Sequence, residues 1–362
     1  MRGTFWMFFF GITLGILTMS CGPELDAKAG DVGPLQLEEK IGLGNVRGRL
    51  DHMALDIDRH RLFVAELGND SVGVVDLRVR RIVRRIVGLK GPQGVGYVPT
   101  TDTLYVANGG DGLVRLFQGA DYSEAGGIEL RSDADNLRVD PAASRVIVGY
   151  GNGGLAIVDP ASRKKVNDVS LKAHPESFQL DPDSSRTFIN LPSARAIAVV
   201  DRFAGIQIAR WPMTAGHANF PMALDTRSKT VIVVFRDPPR LGAFSMRDGS
   251  SVANVETCSD SDDVFVDTRR RRLYVSCGDG YLDVFNARGD GYDRIAHIRT
   301  AVGARTALYA PELDRLLLGV RADAGRGAEC TVPLRKACFC ERKTCGRMNA
   351  TEYCGWRLCM PL

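Results

Sequence analysis

Six of the nine cysteines crowd the C-terminus, spaced Cys330-x7-Cys338-x1-Cys340-x4-Cys345-x8-Cys354-x4-Cys359. Thiolates at such density bind zinc or oxidise to disulfides. Zinc sites are usually built from Cys-x2-Cys pairs or include histidine, and the stretch has neither. Six cysteines of an exported chain can form three disulfides, among 15 connectivities. A third origin is a shifted reading frame that has replaced the natural end of the chain. Elsewhere the sequence contains no nucleophile elbow, no HExxH and no Gly-rich phosphate loop. Cys-x-x-Cys-His is missing too, so no covalently attached haem is expected.

A second group of reactive side chains recurs in step: Asp51-His52, Gln93-Gly94, Asp135-Asn136, Glu176-Ser177, Phe220-Pro221, Asp262-Asp263 and Arg305-Thr306. Each pair stands eleven and ten residues before a repeated aliphatic motif, and four of the seven leading residues are acidic. Brought around one axis, the carboxylates would attract a cation such as Ca2+, or a cationic or polyhydroxy ligand, with Arg305 and His52 adding donors. Asn219, His174 and His217 lie close to the same positions. The plainer reading is that polar residues at strand starts satisfy backbone groups in turns.

What would place them around an axis is the repeat itself. "RLFVA", "TLYVA", "RVIVG", "RTFIN", "TVIVV", "RLYVS" and "RLLLG" have their second residues at 62, 104, 146, 187, 231, 273 and 316, in steps of 42, 42, 41, 44, 42 and 43. Within each unit an apolar strand ending near Asp precedes the motif, and two strands follow it after Gly/Asn/Asp turns ("SVGVVDL", "RRIVRRIVGL"). Four short strands joined by turns make an antiparallel sheet. Such a sheet buries both faces by stacking against copies of itself around an axis. The fold class expected is therefore all-β, a seven-bladed β-propeller of four-stranded blades over 35–325. A β-sandwich or solenoid fits the repeat number and length less well.

The "LYVAN" and "LFVAELGND" cores, with "DHMALD", "HPESFQLDP" and "FPMALD", resemble the YVTN-type propeller repeat of bacterial YncE-like proteins. The likeness covers about 35–325 and implies the propeller, within the broad WD40-like superfamily. It implies little about function. The Gly-His and Trp-Asp marks of WD40 repeats themselves are absent.

Propellers commonly close by lending the chain's first strand to the last blade, and "LQLEEKIGL" at 35–43 is placed to do so. The third strand of blade seven is then due to end near Glu329-Cys330, where the chain reads "RGAECTV" rather than an aliphatic run. Residues 326–362 are accordingly expected to be an atypical, poorly ordered tail. Cys258 and Cys277 in blade six either pair or remain thiols.

Arg2 followed by "FWMFFFGITLGILTM" has the shape of a signal peptide over 1–20. Cys21 after Ser20 resembles a lipidation site, with secretion or a retained anchor as alternatives, and 21–34 reads as a tether. All three outcomes put the body in the periplasm or cell envelope, or outside the cell. The composition, 44% hydrophobic and 25% charged at net +4, excludes a disordered chain. The arginine runs at 80–85 and 269–272 read as solvated turns rather than a nucleic-acid surface.

The expected function is a non-catalytic binding or scaffold propeller, with a small ligand, glycan or envelope protein at the axial rim and membrane contact only through a lipid anchor. The alternative is a metal-dependent lactonase-type hydrolase with Glu176, Asn136, Asp262 and Asp263 as ligands, although such enzymes usually have six blades. A redox propeller holding quinone or haem rests on fold analogy alone.

Overall fold

Past their first residue the repeated motifs are mostly apolar at successive rather than alternate positions, which suits a strand covered on both faces. The computed structural model describes residues 33–289, 291–323 and 327–333. Strand β1 spans Leu37–Gly44. Blade one holds β2 Met53–Asp56, β3 Arg61–Glu66, β4 Ser71–Asp76 and β5 Arg81–Val87; blade two holds β6 Pro92–Val98, β7 Thr103–Asn108, β8 Leu113–Gln118 and β9 Ser123–Glu129. Blade three holds β10 Ala134–Asp140, β11 Arg145–Tyr150, β12 Gly154–Asp159 and β13 Lys164–Ser170; blade four holds β14 Phe178–Leu180, β15 Arg186–Leu191, β16 Ala196–Asp201 and β17 Ile206–Pro212. Blade five holds β18 His217–Asp225, β19 Thr230–Asp237, β20 Pro239–Ser245 and β21 Ser251–Glu256; blade six holds β22 Ser261–Asp267, β23 Arg272–Cys277, β24 Tyr281–Arg288 and β25 Gly291–Arg299. The last strands are β26 Thr306–Ala310, β27 Arg315–Val320 and β28 Ala328–Pro333.

Hydrogen bonding orders these into seven four-stranded sheets, consecutive in six and β1-β28-β27-β26 in the seventh. The all-β, seven-bladed propeller read from the repeat is the fold. Leu62, Val64 and Val75 pack with Ile41, Leu43, Leu317 and Cys330 of blade seven. From the same two strands of blade one, Phe63, Ala65, Val72 and Val74 pack with Val95, Leu104 and Val106 of blade two. The other junctions are filled in the same way. Each middle strand thus serves two cores, and its unbroken apolar run follows from that.

The aspartates that end the innermost strands are turn caps. Asp56, Asp181, Asp225 and Asp267 accept backbone N–H groups two or three residues on, at 3.0–3.2 Å. Arg81 and Arg84 lie exposed on the outer strand of blade one, and Arg270 is tied to Asp267 and Asp314 at 2.8 and 2.7 Å.

Blade seven departs from expectation. Its third strand exists: β28 pairs with both β1 and β27, joining Ile41 to Cys330 and Gly319 to Cys330 across the two ladders. Ala328 and Cys330 are buried, and Cys330 puts a thiol where the other blades carry Val72, Val114, Leu155, Ile197, Leu241 and Leu282. The connection into β28 runs from 321 to 327, whereas its equivalent in blade one runs from 67 to 70, so the strand comes later than counting places it. The propeller therefore extends past 325 to Pro333. Cys338, Cys340, Cys345, Cys354 and Cys359 lie outside the described residues, as do Cys21 and the stretch 1–20 expected to be a signal peptide.

Cys258 and Cys277 form a disulfide, with Cα atoms 5.9 Å apart and a separation of 19 positions in sequence. Closing a loop of that length removes denatured-state freedom worth about 3 kcal/mol. Cys258→Ser/Cys277→Ser is expected to lower the unfolding free energy by about that amount. Melting with and without reductant checks it: a reductant-insensitive wild type would show that the bond contributes nothing.

Candidate functional site

The innermost strands β2, β6, β10, β14, β18, β22 and β26 begin around the axis, and four of them begin with a β-bulge. Register shifts fall between Pro92 and Val95, Ala134 and Leu137, Asn219 and Met222, and Ser261 and Asp263. Residues inside a bulge leave the ladder, and their side chains are re-aimed. Gln93-Gly94, Asp135-Asn136, Phe220-Pro221 and Asp262 are those residues. In blades one and four the same column precedes the strand and is held by backbone bonds, Asp51 N to Ala65 O at 2.8 Å and Glu176 N to Asn190 O at 3.0 Å.

Several of the carboxylates converge. Asp51 is 2% exposed beside Arg49 Nη2 at 2.9 Å, and burial, opposed by Arg49 but reinforced by Asp135 and Asp262, pushes its carboxyl up to about 8. Burial with Asp135 close by pushes Glu176 up to about 7. Burial likewise pushes Asp263 up to about 6 while its Oδ2 accepts Ala307 N at 2.8 Å and His52 lies near. His52 Nε2 stands 3.9 Å from Asp51 Oδ1. Asp262 is neutralised: Arg236 Nη2 donates to Oδ1 and Arg305 Nε lies 3.1 Å from Oδ2, with Arg305 also on Asp260 at 2.5 Å. Arg236 stacks over the Phe220 ring at 4.0 Å.

Not every expected residue reaches the mouth. Asn219 is buried and ties blade five to blade four, donating to Asn190 Oδ1 at 3.0 Å and Ala196 O at 3.3 Å, so no ligand meets it. Asn136 is buried and accepts Arg138 Nη1 at 2.9 Å. Gln93 donates to Asp133 at 3.0 Å. With Asn136 occupied and Asp262 paired to arginine, the ligand set of the hydrolase alternative is not assembled. Instead Asp135, His174 and Glu176 bring one ligand atom each to within 4.8 Å of one another.

Arg138 and Arg236 were not read from the sequence. Arg138 stands three residues after Asp135, a position filled by Ala54, Gly96, Gln179, Ala223, Phe265 and Leu308 in the other blades. It lies near Asp135 and Asp263, and burial pushes its guanidinium below the ordinary arginine range. Arg236 stands where blades two, three and six carry Gly109, Gly151 and Gly278. A charged residue where most other blades carry an apolar residue or glycine was the available signal.

The raised carboxyl values fix a pH dependence. Unfolded carboxyls titrate near ~4, so between there and about 8, 7 and 6 for Asp51, Glu176 and Asp263 the folded chain binds more protons than the unfolded one. Their contribution is fully present below the unfolded value and is lost as pH rises through the folded values. Asp51→Asn/Glu176→Gln should therefore melt higher than wild type at pH 8 and no higher at pH 4. Parallel melting curves for the two proteins across that range would refute the assignment.

No protein-family model matches the chain, and no curated protein matches it. Solved structures do. A chain of Kuenenia stuttgartiensis hydrazine synthase is 13% identical, with TM-score 0.57 over 76% of this chain and 92% of that one. A chain of the mitotic checkpoint complex is 11% identical, with TM-score 0.70 over 88% of this chain and 98% of that one. At such identities the likeness is one of fold: the chain shares its propeller architecture with proteins of unlike names.

Proposed function

We propose that this chain is a YncE-like propeller of the bacterial cell envelope that binds a positively charged group of a small ligand or envelope partner at its axial mouth. The observation that carries the reading is the convergence of Asp51, Asp135, Glu176 and Asp263, of which only Asp51 and Asp135 have an ion-pair partner among the described residues. Like charges held this close in low dielectric attract a cation to relieve them. The fold supports a binding role, since the loops at one end of a propeller surround a single channel. The Cys258–Cys277 disulfide fits an exported protein. Lipidation of Cys21, which lies outside the described residues, would tether the body to a membrane.

Spermidine and a hexalysine peptide serve as probes in calorimetric titrations at low salt. Both should bind, and Asp135→Asn and Glu176→Gln should each weaken binding tenfold or more. Added salt should weaken it further, as expected of partly exposed charges. Failure of the folded wild type to take either probe, or equal binding by the variants, would remove the proposal.

A further inference from the structure

We infer that Asp135, His174 and Glu176 form a binding site for one divalent first-row transition-metal ion, set in the axial mouth and resting on the reading of that mouth as a cation site. The three residues come from two adjacent blades: Asp135 from the bulge that opens β10, and His174 and Glu176 from the segment leading into β14. Their ligand atoms, a carboxylate oxygen, an imidazole nitrogen and a second carboxylate oxygen, lie within 4.8 Å of one another.

The imidazole is oriented by something other than the carboxylates. His174 Nδ1 lies 2.5 Å from the Gly151 carbonyl oxygen, which fixes Nδ1 as the donor and turns Nε2 toward Asp135 Oδ2, 3.4 Å away. A histidine held by a backbone carbonyl on its far nitrogen is the usual support of a metal-ligating ring. Gly151 is itself anchored, its N–H donating to Asp133 O at 2.8 Å. The segment carrying the ring also fits closely: Pro175 leaves no room for a side chain on Gly149, whose Cβ would stand 2.9 Å from Pro175 Cγ.

Charge balance makes the second argument. Asp135 is more than nine-tenths buried, and its carboxylate bonds His174 alone among the described residues. The Glu176 carboxylate has no hydrogen-bond or ion-pair partner among them, only more distant electrostatic neighbours. Two carboxylates whose one bonded partner is an imidazole, with Arg138 and Arg236 only at longer range, leave a place for a metal ion. Metal binding at these donors competes with protons, so affinity should fall as the pH is lowered.

The donor set selects the ion. Calcium and magnesium are held by oxygen atoms, whereas an imidazole nitrogen suits first-row transition ions. At bond lengths of about 2.0–2.2 Å, two donors on one ion stand roughly 3.0–3.5 Å apart, and the His174–Asp135 separation of 3.4 Å falls in that range. Three protein ligands leave further coordination positions open, as in sites that accept an exogenous group.

The test uses the full-length protein, stripped by chelator and titrated at pH 7.5 with cobalt(II) followed by absorption, with calcium as competitor. Cobalt is chosen because the C-terminal cysteines would betray themselves by a thiolate-to-metal band that an oxygen and nitrogen site lacks. Expected are one equivalent bound without that band, no displacement by calcium, and affinity lowered at least tenfold in both His174→Ala and Glu176→Gln. Glu176→Gln is nearly isosteric, so it keeps the test valid if His174→Ala misfolds. No binding, binding with the thiolate band alone, or unchanged affinity in a folded variant would overturn the site. If cobalt fails while spermidine still binds in a Glu176-dependent way, the metal inference falls and the cationic mouth stands; if neither binds, both fall.

Discussion

A chain ended at Asp323 should fail to form a stable monomer, whereas one ended at Pro333 should melt within a few degrees of the full-length protein. The difference is β28. Strand β1 has β28 as its partner in the sheet, so removing β28 releases both ends of the chain and leaves blade seven with β26 and β27 alone. It also uncovers Ile41, Leu43 and Leu317, which pack with Cys330 and Ala328. Together the lost ladders and packing are comparable with the ~5–15 kcal/mol that holds an ordinary domain folded. Gel filtration and circular dichroism of the two truncations decide the matter. A monomeric, cooperatively melting chain ended at Asp323 would show that blade seven does not close the ring.

The second large effect lies at Arg202. This side chain is buried, leaves the turn after β16 of blade four and reaches Asp140 of blade three at 2.6 Å. Its remaining N–H groups donate to the carbonyls of Ser184, Arg186 and Asp181 at 2.7, 3.1 and 3.3 Å. Arg202→Ala leaves the buried Asp140 carboxylate with the Ala143 N–H at 3.2 Å and no cation, and takes one donor from three carbonyls, and the cost expected for breaking such a pair is about 3–5 kcal/mol. Adding Asp140→Asn removes the orphaned charge, so the double variant should recover part of that loss rather than add to it. Urea unfolding of wild type, both single variants and the double measures the coupling. Loss below about 1 kcal/mol in Arg202→Ala would mean that water reaches Asp140 and that the bridge is ordinary surface chemistry.

The blades were legible because Leu62, Phe63, Val64 and Ala65 cannot all be apolar unless both faces of β3 are covered, and the pattern returns seven times. Blade seven was harder to read because Cys330 stands where the other blades carry an aliphatic residue, although its thiol joins the same core as Ile41 and Leu317. Asp51, Asp135, Glu176 and Asp262 were visible as a polar column. Their partners were not, since Arg236 meets Asp262 and His174 meets Asp135 across 26 and 39 residues, distances that only the ring shortens. Asn219 shows the reverse error: polarity in the right column is also what an interblade tie needs.

The bulges at the channel mouth carry one more consequence. Because Asp135, Gln93 and Phe220 sit outside the strand register, the ladders of β10, β6 and β18 continue past them whichever side chains they carry, whereas a side chain on the neighbouring Gly94 would collide with the Asp135 carbonyl. Ligand preference and folding are thereby largely uncoupled at those places. Such a ring can change what it recognises over generations, one blade at a time, while the barrel of interlocked cores beneath it is inherited intact.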